Sequence, residues 1–184
     1  MRAPLVCLAL CGAVLTSSSC RQRTVAAQPA APVSASTQPG SLIPDQVNTP
    51  EWRNAWTNLV NDARQAFSPS RPKLVGVEVQ LLLANPGPDE DQLTLAILDS
   101  SGRSVGEITK TVQATGVDRV LFLFPDGGVN VSPGQLYELR LTGGTTFGWK
   151  YVMDGYEHGS ASFNGRPLVA GARSTFLFRT FGAS

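Results

Sequence analysis

The chain has 184 residues, 42% of them hydrophobic and 16% charged, with Lys and Arg numbering 15 against 14 Asp and Glu. That balance lacks the basic excess that marks nucleic-acid-binding chains, and the length allows one ordinary domain with a core of its own. All three cysteines, Cys7, Cys11 and Cys20, lie at the N-terminal end, which excludes disulfides and thiolate metal sites from the rest of the chain.

Met1-Arg2 supplies a short positive region, and Leu5 to Leu15 is almost wholly apolar. At roughly 11 residues this run fits the apolar segment of an export signal and falls short of the ~20 a membrane-spanning helix needs. The small residues Ser17, Ser18 and Ser19 then lead into Cys20. This stretch resembles the lipobox of bacterial lipoproteins, whose cysteine is diacylated and becomes the first residue of the mature chain. The resemblance implies a signal peptide over residues 1–20, lipidation at Cys20, and a place in the bacterial cell envelope, membrane-anchored through an N-terminal lipid. The family pattern prefers Leu three residues before the cysteine, where this chain has Ser17. The alternative is an ordinary secretory signal cut after Val25-Ala26-Ala27, which would leave the protein secreted or periplasmic.

Residues 21–40 are rich in Ala, Pro, Gln, Ser and Thr, with no acidic residue and no apolar periodicity. Such a stretch buries too little surface to offset its ordering entropy and is expected to be a flexible tether. Residues 41–184 then form the domain, with 9 Arg and 3 Lys against 14 acids. A net charge near −2 gives no reason to expect a nucleic-acid partner.

Thr49-Pro50-Glu51 resembles a helix start, and Trp52, Trp56, Leu59, Val60, Ala63 and Phe67 follow at near-helical spacing, so a short helix is expected over residues 50–60. A strand over Ala63 to Phe67 follows it. Beyond that point period-two alternation dominates. Val75, Val77, Val79, Leu81 and Leu83 alternate with Glu78 and Gln80; Leu93, Leu95 and Ile97 repeat the pattern, as do Val120-Phe122-Phe124 and Tyr137-Leu139-Leu141. Trp149-Tyr151-Met153 and Phe176-Phe178-Thr180 complete the series. Turn signals separate the runs, among them Asp99-Ser100-Ser101-Gly102, Ser132-Pro133-Gly134 and Asn164-Gly165. Half-buried strands with regular turns predict an all-β antiparallel sandwich or barrel.

Several motifs sharpen that expectation. Arg64-Gln65-Ala66-Phe67-Ser68-Pro69, Leu74-Val75-Gly76-Val77-Glu78-Val79, Ser132-Pro133-Gly134 with Tyr137-Glu138-Leu139, and a C-terminal set of Trp149, Asp154, Tyr156, Gly159, Ala161, Gly165 and Phe176-Leu177-Phe178-Arg179-Thr180 run through nearly the whole domain. Together they resemble bacterial exported domains with a galactose-binding-like or carbohydrate-binding-module-like jelly roll. The resemblance implies an antiparallel jelly-roll β-sandwich. Domains of that kind often carry a structural calcium ion, and they are functionally mixed.

The richest local mixture of side chains runs from Trp149 to Gly159. Sugars are bound by aromatic faces against their C–H surfaces and by carboxylates, amides or guanidinium groups at their hydroxyls. Trp149, Tyr151 and Tyr156 are candidate platforms, and Asp154, Glu157, Asn164 and Arg166 are candidate polar partners. The competing reading makes Trp149 and Tyr151 core residues and the Tyr156 segment a packed turn. Asp89-Glu90-Asp91 places three carboxylates in one turn, a candidate calcium contribution with Asp45 or Asp99; no spaced Asp-x-Asp-x-Asp-Gly loop accompanies them, and a solvated turn that protects a hairpin is the favoured reading. His158 is the chain's one histidine, so a catalytic triad would need it as base, and no Gly-x-Ser-x-Gly elbow accompanies it; one histidine without a further thiol cannot assemble a zinc site.

The expectation is an exported, lipid-anchored, non-catalytic binding or adhesion module whose ligand is a glycan or another envelope component. Two alternatives stand beside it: a structural or protein-binding envelope domain without a small ligand, and a hydrolase that uses paired carboxylates.

Overall fold

The computed structural model describes residues 42–51, 55–58, 62–115 and 117–183. The export signal, Cys20 and the tether lie outside the described residues.

The strands, in chain order, are β1 (Ile43–Asn48), β2 (Trp56–Asn58), β3 (Ala63–Phe67), β4 (Lys73–Leu83), β5 (Glu90–Leu98), β6 (Ser104–Gln113) and β7 (Arg119–Leu123). They continue as β8 (Val129–Asn130), β9 (Tyr137–Thr142), β10 (Phe147–Met153), β11 (Ala161–Phe163), β12 (Arg166–Pro167), β13 (Ser174–Phe176) and β14 (Phe178–Ala183). Two antiparallel sheets result. Sheet I runs β1-β14-β4-β10-β13, with β2 on β10 and with β7 and β8 on β4; sheet II runs β12-β11-β3-β9-β5-β6. The protein is an all-β sandwich, as the alternation predicts, and no helix occurs among the described residues.

The apolar positions of both sheets meet in one core. Phe67, Leu93, Leu95, Ile97, Leu139 and Leu141 contribute from sheet II, and Val77, Val79, Leu81, Phe122, Trp149, Phe176 and Phe178 from sheet I, all of them fully buried. The rings lock into each other: Trp149 stacks on Phe176 at 4.2 Å and 11°, and Phe67 meets Phe178 edge-on at 6.4 Å. Such offset and edge geometries suit the charge distribution of aromatic rings and add to the area they bury.

Two local departures from simple alternation have physical causes. In β4 the inward face begins with Leu74 and resumes at Val77, so Val75 is only half-buried. The ladder with β14 slips between Phe181 and Gly182, which pair with Gly76 and Leu74; Val75 is the extra residue of a bulge, and the bulge resets which face looks inward. The second departure is at residues 50–60. The expected helix is replaced at Trp56–Asn58 by β2, which pairs Trp56, Thr57 and Asn58 with Lys150, Trp149 and Gly148. Its register lays the Trp56 indole over Gly148, where an added Cβ would come within 2.7 Å of the ring. The open edge of β10 outcompetes a helix whose apolar spacing had no other surface to cover. Residues 52–54 and 59–61, the remaining parts of that expectation, lie outside the described residues.

Gly159 is required for close approach. A Cβ there would stand 1.9 Å from the carbonyl oxygen of Ala66, where the chain presses against β3 and the Ser160 carbonyl accepts a hydrogen bond from the Ala66 amide at 3.0 Å. The obstacle is backbone, which cannot rotate aside. Gly159→Ala is therefore expected to cost about 2 kcal/mol of stability. The check is urea unfolding: a lower midpoint at unchanged slope is the expected result, and an unshifted midpoint would show that this segment moves freely off β3.

Candidate functional site

An open groove of about 470 Å³ lies where the short strands of sheet II meet β13 of sheet I. Its near wall is the hairpin of β11 and β12. Asn164 and Gly165 both hold positive φ (52° and 70°), the backbone that a two-residue hairpin turn of type I′ demands and that this Asn-Gly pair supplies. β11 pairs with β3, placing Ser162 opposite Arg64. β12 is only two residues long and contains Pro167, so the outer edge of sheet II ends without offering a free ladder. The chain then loops through Gly171 to Arg173 and enters β13, bringing Ser174 into the groove.

The lining is polar and cationic. Arg64, Arg166 and Arg173 surround it, with Ser160, Ser162 and Ser174 between them and Glu138 as the single acid. The three guanidinium groups differ in how they are used. Arg64 is locked: it donates from Nε to Asp62 Oδ2 at 2.8 Å and reaches Glu138 Oε2 at 3.2 Å. Arg140 donates from Nε to Asp62 Oδ1 at 2.9 Å, which closes a charge-neutral quartet of two arginines and two carboxylates. Arg173 has looser ties, with Nε 3.7 Å from Asp154 Oδ1 and Nη1 3.4 Å from the Glu157 carbonyl oxygen. The Arg166 side chain is exposed and meets no hydrogen-bonding or ionic partner among the described residues.

At the groove wall, Ser174 is 1% exposed, and its Oγ is buried without a hydrogen-bond partner among the described residues. A buried hydroxyl left unpaired costs stability; Thr146 and Thr175 carry others of the kind, and Ser174 differs from them in lining the groove, where a turn of its side chain would bring the Oγ to a ligand.

The quartet has a pH signature. Burial pushes the Asp62 carboxyl upward, but hydrogen bonds from Arg64 and Arg140, with their charges, outweigh it and leave the group below its ordinary value of 3.8. A carboxylate held lower in the folded state contributes stability above its unfolded value, and that contribution is lost as pH falls through the folded one. Unfolding free energy is therefore expected to decline on acidification below about pH 4. In Asp62→Asn this part of the acid dependence should be smaller; identical acid profiles for both proteins would show that the quartet contributes nothing.

The structure sorts the other residues singled out from sequence. Trp149 is a core residue: fully buried, stacked on Phe176, with its indole N–H donating to the Leu177 carbonyl at 2.9 Å. It presents no face to a ligand. Tyr151 is half-buried and meets Phe176 edge-on at 6.3 Å. Tyr156 is 5% exposed; it packs edge-on against Phe178, and its hydroxyl donates to Gln46 Oε1 at 2.8 Å. Burial pushes its phenol up to about 12, assisted by the Asp45 charge and opposed by a hydrogen bond with the Ser68 backbone. This ring is a packed corner as the competing reading had it. Asp154 and Glu157 are exposed near the rim and hold Arg173, Asp154 by its carboxylate and Glu157 by its carbonyl. Asn164 forms the hairpin turn, and of the seven ligand candidates Arg166 alone lines the groove. His158 is exposed beside Tyr156.

The carboxylates proposed for calcium do not converge. Both oxygens of Asp91 accept backbone amides, from Gln92 at 2.9 Å and Thr145 at 2.8 Å, and Glu90 accepts from the Gln113 side chain at 2.8 Å. Asp89 contributes its carbonyl oxygen to the Ala114 amide at 2.7 Å. Asp45 binds the Ser70 amide and hydroxyl. Asp99 is held down to about 2 by the Ser101 hydroxyl, against the opposing effect of desolvation and with the amides of Arg103 and Ser101 and the Arg103 side chain assisting. These acids fasten turns and a hairpin end. Among the described residues no group of three or more His, Cys, Asp or Glu is placed to hold a metal ion.

Arg173 and Ser174 carried no signal in the sequence, and Arg64 only a structural one as part of the strand motif of residues 64–69, because strand pairing and one loop bring the three together from distant positions. The chain matches no protein-family model and no curated protein sequence.

Proposed function

We propose that the protein is an exported, non-catalytic binding module of the bacterial cell envelope, lipid-anchored through Cys20, which takes a glycan in the groove between β11, β12 and β13. The observation that carries the reading is the groove lining, in which Ser160, Ser162 and Ser174 stand among Arg64, Arg166 and Arg173, with the Ser174 hydroxyl unpartnered among the described residues. A sugar hydroxyl is the natural complement of such a donor and acceptor, and guanidinium forks bind adjacent hydroxyls in their plane. The alternation of the chain between the sheets, from β3 in II to β4 in I and back to β5, supports a jelly-roll winding. The non-catalytic part is supported by the employment of the acids: Asp62, Asp91, Asp99, Glu90 and Glu138 each hold an arginine, a turn or a hairpin end.

The test is a glycan-array screen of the full chain followed by titration of each hit, with Ser174→Ala alongside. Deleting an unpartnered buried hydroxyl should leave the unfolding midpoint equal or higher, while losing one hydrogen bond should weaken ligand binding about 2- to 12-fold. A variant that is equally stable and binds hits as tightly as the wild type would remove the groove from the reading. An empty array would remove the glycan.

A further inference from the structure

Resting on the groove as the glycan site, we infer that its ligand is an acidic saccharide, with a sugar carboxylate held between Arg166 and Arg173. The guanidinium groups of the groove differ in what they have left to give. Arg64 is spent on the neutral quartet, with Asp62 at 2.7 Å and Glu138 at 3.2 Å. The same quartet neutralises Glu138, the acid of the groove lining. Among the lining residues, Arg166 and Arg173 are then positive charges with no acid of the lining to answer them, while the acids near the rim, Asp154 and Glu157, are both exposed to solvent. Arg166 has no ionic partner among the described residues, and Arg173 is 3.7 Å from a carboxylate, Asp154, that is itself 72% exposed. An exposed, loose pair of that kind is worth little and yields readily to a better-placed anion.

The two arginines enter the groove from different sides, Arg166 from the β11–β12 hairpin and Arg173 from the end of the loop leading into β13. A guanidinium is a planar fork that matches a carboxylate through two parallel hydrogen bonds. Hydroxyl groups beside the carboxylate on a pyranose ring would then meet the serines of the lining, Ser160, Ser162 and Ser174. A neutral sugar satisfies the serines but leaves the charge surplus unanswered. An isolated anion answers the charge but not the buried hydroxyl. The combination calls for both on one molecule, as in a hexuronate.

The test is calorimetric titration of the full chain with short oligomers of galacturonate, glucuronate and mannuronate, each compared with its methyl ester, which keeps the ring and masks the charge. The expected result is that at least one free acid binds tenfold or more tightly than its ester, with affinity falling as salt is raised. Arg166→Gln and Arg173→Gln should each remove most of that preference with unchanged unfolding midpoints, since both side chains are exposed. Arg166→Lys should restore part of it, as a charge without the fork. Esters that bind as well as acids would overturn the inference and leave the glycan reading standing. No binding by any oligomer, together with an empty array, would overturn both. Tighter binding of a phosphorylated or sulfated sugar, or competition by inorganic phosphate alone at similar strength, would replace the carboxylate and overturn the assignment.

Discussion

Replacing Trp149 with alanine is expected to destabilise the fold by about 3–5 kcal/mol, the range for deleting a large buried aromatic side chain. The indole is fully enclosed, stacked on Phe176 at 4.2 Å, and its N–H is satisfied by the Leu177 carbonyl at 2.9 Å. Truncation therefore opens a cavity, removes a stacked pair and leaves a buried carbonyl with one acceptor site unmet. Trp149→Phe keeps part of the ring contact and loses only the hydrogen bond and some volume, so its loss should be roughly half as large. Chemical denaturation of the three proteins gives the ordering. A Trp149→Ala loss under about 1 kcal/mol would mean that the indole is not the centre of the core described above. The same series separates folding from recognition: Trp149→Phe, where still folded, should bind groove ligands as the wild type does.

The second large effect is expected at Gln65. This side chain is fully buried in β3, and it crosses between the sheets to accept the Phe176 amide at Oε1 over 2.7 Å while its Nε2 donates to the Ala66 carbonyl at 2.8 Å. The other backbone polar group of Phe176, its carbonyl, accepts from Asn48 Nδ2. Phe176 lies next to Leu177, where the chain passes from β13 to β14, and two side-chain amides replace the ladder partners its backbone lacks at that point. Gln65→Leu keeps the volume and orphans the Phe176 N–H, at a cost of about 1–3 kcal/mol. Gln65→Ala adds a cavity and should lose more, about 3 kcal/mol or above. Equilibrium unfolding measures both, and hydrogen exchange at the Phe176 amide reports the break directly. If Gln65→Leu proves neutral and the amide stays protected, water or a shifted backbone has taken over the bond.

The fold was legible wherever one face of a strand meets the core without interruption. Leu93-Leu95-Ile97 and Tyr137-Leu139-Leu141 sit as alternation predicts, because β5 and β9 pair with each other in continuous register from Leu95–Leu141 to Leu98–Glu138. Alternation failed where a bulge changed the phase, at Val75, and where β10 leaves the cover of the core. Along β10 the series Trp149, Tyr151, Met153 passes from fully buried through half-buried to 47% exposed. Val152, on the opposite face, is buried there because the Gly155 turn folds over it, as the 2.4 Å between its Cγ2 and a Cβ placed on Gly155 shows. Period-two patterns record a face, not the length over which that face is covered.

The groove was legible only at Arg166, beside the one turn motif that marks its wall. Arg64 reads in sequence as an outward residue of a strand, and Arg173 as a lone charge after the small and apolar run Leu168-Val169-Ala170-Gly171-Ala172. Their convergence is set by the pairing of β3 with β11 and by the return of the chain into β13, contacts between segments about 100 residues apart in the sequence. Ser174 was invisible for a further reason. Its meaning lies in the lack of a partner among the described residues, and local sequence carries no trace of which hydroxyl a fold will leave unpaired.

The pairing of β1 with β14 joins the first described strand to the last, with Ile43 opposite Gly182 and Pro44 opposite Phe181. Because the two ends of the domain leave from the same corner, the order of its segments is separable from its shape. A few residues linking Ala183 to Leu42 would close the chain into a ring without crossing the core, and the exposed turn at Ser100–Gly102 could be opened as new termini. The same geometry makes the domain insertable: it can be carried in a loop of another protein, both junctions at one corner, with the groove's strands untouched.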